Sequence, residues 1–279
     1  MSKASILIKN VTGSFFFQQD QIADFIDLNW RVKRLFGKSG RHVFVACFPK
    51  SGSTFLVKSI MHLTGFDYHL FINAFGKNEH DVYEPQLLSK WHQNTVTHQH
   101  CRATDNNVRL LLKYRIKPIV LVRNIFDCIV SMRDHLVREN LDWPMAWVPR
   151  EFLDYDDVKQ YDFVIDFFSP WYFNFFSSWE AFSKQRESIE VKWLLYEEFI
   201  ENGEESIMRV LKHSGLQQNY SSEEIQLAMK SASGQGPEKS RLNKGITGRG
   251  MEILSPTQVN RIRDLAKFYR STDFTKIGL

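Results

Sequence analysis

The chain has 279 residues, 43% of them hydrophobic and 24% charged, with a formal net charge of +4 and a pI near 8.8. A chain of this length can bury its own core without staples, and the mild basicity suits anionic ligands while falling short of a nucleic-acid-binding tail. No apolar run approaches the roughly 20 residues of a membrane span, and the scattered Cys47, Cys101 and Cys128 form no C-x-x-C pair, so a cytoplasmic protein without disulfides is expected.

Residues 1–9 hold an apolar patch too short for a signal peptide. Helical spacing of Ile22, Phe25, Ile26, Trp30, Val32 and Phe36 predicts a helix over 19–36, stopped by Gly37. The run His42-Val-Phe-Val-Ala-Cys-Phe48 reads as a buried strand. It leads into Pro49-Lys-Ser-Gly-Ser-Thr54 and a helix to about residue 63. A weaker strand is expected over 94–98 and a helix over 105–114. A second buried strand follows over 118–122 and a helix over 126–137. A third strand is expected over 189–195, then helices over 204–213, 222–231 and 256–269. Ser255, Pro256 and Gln258 supply a capping start for the last helix. Strands alternating with helices predict a three-layer α/β/α domain with a central, mostly parallel sheet. The whole chain, 1–279, is read as a single domain with its core over about 42–270.

Two stretches interrupt this rhythm. Residues 140–172 are rich in aromatics and aspartates and are expected to form a substrate lid. Residues 234–250 are rich in Gly, Lys and Arg and are expected to form a basic flap. The acidic group Asp154, Asp156, Asp157, Asp162 and Asp166 lacks the glycine and terminal glutamate of a calcium loop and reads as a solvated acidic lid.

Lys50, Ser51, Gly52, Ser53 and Thr54 combine small residues, hydroxyls and a cation at a strand-to-helix turn, which are the components of a phosphate cradle. The lysine precedes the glycine, so this is not a Walker A loop. Arg123 falls at the end of the second buried strand, where open α/β sheets bind ligands. With Ser131 on the following helix it suits a phosphate monoester. Arg241-Leu-Asn-Lys-Gly-Ile-Thr-Gly-Arg-Gly250 reads equally as a flap over a polyanion or as a basic loop.

Together these segments resemble the PAPS-dependent sulfotransferase family (3′-phosphoadenosine 5′-phosphosulfate), from about residue 42 to 250. Pro49-Lys-Ser-Gly-Ser-Thr-Phe55 is similar to the family's P-K-S-G-T-T-W loop. Arg123-Asn-Ile-Phe-Asp127 with Ser131 is similar to R-N-P-x-D-x-x-x-S, with Ile125 in place of proline. Tyr196-Glu-Glu198 is similar to Y-E-D, and Asn243-Lys-Gly-Ile-Thr-Gly248 to R-K-G-x-x-G, with Asn243 where the family has arginine.

The resemblance implies a sulfotransferase that binds PAPS and releases PAP (3′-phosphoadenosine 5′-phosphate) without a metal. Lys50 would stabilise charge on the leaving phosphate, and Ser51, Gly52, Ser53 and Thr54 would hold it. Arg123 and Ser131 would grip the 3′-phosphate, with Arg241, Asn243, Lys244 and Gly245 closing over it. Phe55 and Tyr196 would frame the adenine. The family's T-H pair falls on Thr97-His98, making His98 the expected general base. His100 is its alternative, because residues two apart in a strand share a face. Metal ligation by His98 and His100 with His92 or Cys101 is a third reading. Trp143, Trp147 and Phe168 are expected to line the site of a small, partly apolar acceptor. A P-loop kinase and a nucleotide-binding protein without turnover remain rival readings, and no nucleic-acid partner is expected.

Overall fold

The computed structural model describes residues 19–36, 38–73, 80–185, 189–216, 220–233 and 247–279. They fall into two compact units, Met1–Ser39 and Gly40–Leu279. The first contributes helix α1 (Gln19–Phe36). All the remaining elements belong to the second.

That unit is an α/β fold around a five-stranded sheet, β1 (His42–Cys47), β2 (Asp67–Tyr68), β3 (Thr95–Gln99), β4 (Pro118–Val122) and β5 (Lys192–Leu195), in the order β2-β3-β1-β4-β5. Every pairing is parallel, with Val45 opposite both His98 on β3 and Ile119 on β4. Parallel strands need crossovers, which α2 (Ser53–Thr64), α3 (Glu84–Ser89), α4 (Asp105–Tyr114), α5 (Ile125–Arg138) and α6 (Asp157–Ser183) supply, while α7 (Tyr196–Glu201), α8 (Gly203–His213), α9 (Ser222–Ala232), α10 (Arg249–Ile253) and α11 (Pro256–Ala266) follow β5.

Both sheet faces are covered, which explains why β1 is apolar from Val43 to Cys47 and buried along its whole length. Val43, Val45 and Cys47 enter a cluster with Leu56, Ile60 and Val210, while Phe48, following β1, packs edge-on against Tyr172 and Phe175 of α6. The chain leaves β1 for β2 and β3 on one side and for β4 and β5 on the other. The C-terminal end of β1 is therefore a topological switch point, where such sheets bind ligands.

The 140–172 stretch, expected to interrupt the alternation of strands and helices, is regular from Asp157 onward, where it forms the first part of the 27-residue helix α6. Phe168, Tyr172, Phe175, Phe176 and Trp179 recur at helical spacing and are fully buried. Apolar residues on its exposed stripe as well, Phe167 among them, blur the amphipathic period, and Pro170 inside the helix reads as a breaker. The aspartates are helix furniture: Asp156 caps α6 by accepting the Lys159 N–H at 2.8 Å, Asp157 pairs with Arg133, and Asp166 pairs with Arg261. The third strand starts at Lys192, three residues later than expected.

Candidate functional site

The turn after β1 has the backbone of an anion cradle. Lys50 and Gly52 both adopt left-handed conformations, with φ of 66° and 78°, on either side of Ser51. Gly52 is the N-cap of α2 and makes no side-chain cap bond. The first bonds of the helix run from the Phe55 and Leu56 N–H groups to the Gly52 carbonyl, so the N–H groups of 51–54 lie ahead of them. A Cβ on Gly52 would stand 2.7 Å from the Tyr196 ring. Glycine is needed there for both φ and space. The Ser51 hydroxyl is occupied in the turn, donating to the Phe48 carbonyl at 2.7 Å, and Tyr172 donates to the Pro49 carbonyl at 3.2 Å. The Ser53 hydroxyl lies against the Cys47 thiol, which burial keeps protonated by pushing its pKa up to about 12. Thr54 is half-buried, as is Phe55, whose ring packs 5.3 Å from Phe199.

Arg123, following β4 and only 7% exposed, joins this turn to two further motifs. Its Nη1 donates to the Lys50 carbonyl at 3.1 Å, and its guanidinium carbon lies 4.3 Å from the Tyr196 ring centroid. Its Nη2 lies 3.4 Å from Asp127 Oδ2. Asp127 in turn accepts the N–H groups of Gly248 at 2.9 Å and Gly250 at 2.7 Å, and so roots the end of the basic segment on α5. Gly250 tolerates no side chain, since a Cβ would lie 2.3 Å from the Phe126 carbonyl carbon. Arg249 pairs with Asp134 at 3.2 Å. Ser131, one helical turn beyond Asp127, is buried. Asn124 caps α5 through the Phe126 N–H, and its own N–H donates to Glu197 at 3.0 Å. Sequence reasoning singled out neither Asp127, Asn124 nor Glu197 for these contacts. Their place inside the R-N-x-x-D and Y-E-E motifs was the available signal.

The histidines collect at the same edge of the sheet. His98 lies inside β3, whereas His100 follows its C-terminal end. Burial lowers the His98 pKa to about 4, with His80 adding to the effect, and its Nδ1 is buried with no partner among the described residues. His100 is held well below its ordinary value by burial, then by His80, His98 and Lys50. Its Nδ1 lies 3.0 Å from the Cys47 carbonyl, which only a ring N–H can satisfy, so the neutral ring keeps its lone pair on Nε2. Among the described residues no group of three His, Cys, Asp or Glu side chains is arranged to hold a metal ion.

Trp143 bridges this edge and the pocket beyond α5, with its ring centroid 5.9 Å from His100 and 4.9 Å from His135. The cavity of about 630 Å³ beside it is lined by Trp147, Leu136, Val148, Arg138 and Arg150, among others. Phe168 does not reach it: its side chain is fully buried in the core of α6. Arg241, Asn243, Lys244 and Gly245 lie outside the described residues. No described helix is long and apolar enough to cross a membrane.

The fold is similar to that of a mouse sulfotransferase, SULT7A1, complexed with PAP, at a TM-score of 0.61 and 17% identity over 87% of this chain and 89% of that one. Retinol dehydratase in complex with androsterone and inactive cofactor PAP is similar at a TM-score of 0.56 and 12% identity, over 86% of this chain and 84% of that one. No individual curated protein matches the sequence. The model of the sulfotransferase domain matches residues 40–264, a span that takes in the whole sheet, the β1 turn and most of α11. By that match the chain belongs to the sulfotransferase domain family.

Proposed function

We propose that this protein transfers a sulfuryl group from PAPS to a hydroxyl, or an amine, of a small and partly apolar acceptor. The observation that carries this reading is the hydrogen bond from Arg123 to the Lys50 carbonyl, which ties the β1 turn to the β4 arginine as one anion-binding unit. The left-handed backbone at Lys50 and Gly52 leaves the N–H groups ahead of α2 where a 5′-phosphate can approach them. Arg123 and Ser131 serve the 3′-phosphate, and Phe55 and Tyr196 the adenine. PAP in the two similar structures accords with this choice of donor.

The acceptor oxygen forms a bond to sulfur as the bond between sulfur and the phosphate oxygen breaks, and PAP leaves with that electron pair. Lys50 neutralises the charge gathering on the leaving oxygen. The acceptor proton goes to a neutral imidazole. His100 is the better placed of the two candidates. It follows the strand end, its Nδ1 is oriented by the Cys47 carbonyl, and Lys50 is close enough to act on it electrostatically. Among the described residues, His98 has no orienting hydrogen bond at Nδ1. Trp143 and Trp147 offer the acceptor flat apolar surface.

Incubation with labelled PAPS and a pooled acceptor library in EDTA, with products identified by mass spectrometry, tests the reaction. Sulfated product is expected, and it should vanish in Lys50→Ala and His100→Ala while PAP still raises the melting temperature of His100→Ala. An active His100→Ala beside an inactive His98→Ala would return the base to His98. Magnesium-dependent phosphate transfer from ATP, or a PAP response without any transfer, would replace the proposal with one of its rivals.

A further inference from the structure

We propose, on the reading of His100 as the base, that His80 is a positioning residue that holds the His100 imidazole in one plane and one tautomer. His80 lies in the segment before α3, remote in sequence from every motif above. The backbone N–H of His100 donates to His80 Nδ1 at 3.3 Å, and the two rings stack with centroids 5.1 Å apart and planes at 20°. Buried Gln99 anchors the pair. Its Nε2 donates to the His80 carbonyl at 2.8 Å, while its Oε1 accepts the Phe71 N–H at 2.8 Å. One β3 side chain thus grips the segment at residues 71 and 80.

The hydrogen bonds dictate the protonation pattern. His80 Nδ1 accepts a backbone N–H, so it carries a lone pair and neutral His80 holds its proton on Nε2. His100 is fixed the opposite way by the Cys47 carbonyl, with its lone pair on Nε2. A proton on His80 Nδ1 would set donor against donor and place positive charge beside the imidazole that must accept the acceptor's proton. The other titratable groups facing the pair are His98 from β3, with its ring 6.0 Å from His100, the Cys47 thiol from β1 and Lys50 from the turn. Asp81, next to His80 in the chain, accepts from Asn107 Nδ2 at 2.7 Å. Lys50, His80 and His98 all oppose protonation of His100, so it stays ready as a base.

The pH dependence of kcat/KM in His80→Ala, His80→Asn and His100→Ala tests the proposal, with the PAP-induced melting shift measured alongside. His80→Ala is expected to lower kcat about tenfold or more with acceptor KM and the PAP response near wild type. It should also move the acidic limb upward by about half a pH unit or more, because water admitted where the His80 ring lay favours protonated His100 and no proton on His80 then competes with one on His100. His80→Asn, whose amide oxygen can still accept the His100 N–H, should recover part of the rate but keep the shifted limb. It also serves as the test if the alanine variant does not fold. A purely structural residue would lower the rate equally at every pH. An inactive His100→Ala together with wild-type limbs in the His80 variants would overturn the role of His80 and leave the base assignment standing. Normal turnover in His100→Ala would overturn both.

Discussion

Asp127→Asn is the substitution that best tests how the site is assembled. Asp127 is 2% exposed and uses both oxygens, one for the Gly250 N–H at 2.7 Å and the other for the Gly248 N–H at 2.9 Å and Arg123 at 3.4 Å. An asparagine has one acceptor oxygen. Whichever way its amide turns, an NH2 group faces at least one backbone N–H, and the arginine loses its charged partner. A charge-assisted hydrogen bond contributes about 1.5–3 kcal/mol, and breaking a buried ion pair costs about 3–5 kcal/mol. Arg123 keeps its contacts to Lys50 and Tyr196, so about 3–4 kcal/mol in all is expected, in the lower half of the range for a broken buried pair alone. At about 2–4 °C per kcal/mol for a domain of this size, Tm should fall by roughly 6–16 °C. Thermal unfolding followed by circular dichroism, with and without PAP, reads both the loss and the response to nucleotide. That response should shrink, because Arg123 is no longer aimed from the Asp127 side. A drop below about 2 °C with a normal PAP response would refute the view that Asp127 joins the arginine to the glycine segment.

Gly52→Ala forces a side chain into a left-handed residue 2.7 Å from Tyr196. It should cost about 1–3 kcal/mol and abolish the PAP-induced melting shift, and a full PAP response would contradict the cradle. Phe168→Ala should cost about 3–5 kcal/mol in denaturant unfolding because the side chain is fully buried. Trp147→Ala, at a position 84% exposed, should leave stability within about 0.5 kcal/mol yet raise the acceptor KM. Burial lowers the His42 pKa to about 4 from an ordinary 6.5. Between those values the unfolded chain binds the proton and the folded one does not, so stability falls as pH drops through that window. His42→Gln should flatten the slope, and an unchanged slope in urea titrations at pH 7, 6 and 5 would count against a neutral buried His42.

Local signals were legible wherever structure follows from neighbours in the chain. The continuous apolar runs at 42–48 and 118–122 became β1 with the residue beyond it and β4, and the Ser255, Pro256, Gln258 start became a capping box on α11. The Lys50-to-Thr54 turn was visible because its glycine and hydroxyls serve a local backbone geometry. Helix α6 was not, because a helix buried among aromatics lacks the polar stripe that gives the period away. Phe168 looked like pocket for the same reason: composition registers an aromatic side chain and not the direction in which it points.

From the sequence come the strand-turn-helix cradle, the arginine after β4 and the parallel α/β plan, each a matter of short-range pattern and backbone preference. Tertiary structure decided what depends on long-range pairing. The register of β3 against β1 places His98 within the sheet and His100 at its end beside the Cys47 carbonyl. The packing of 247–250 onto α5 makes Asp127 the junction between arginine and glycines. The stacking of His80 on His100 joins residues 20 apart that share no motif. Spacing along a chain carries none of this, since these contacts exist only once the sheet has set which strand ends meet.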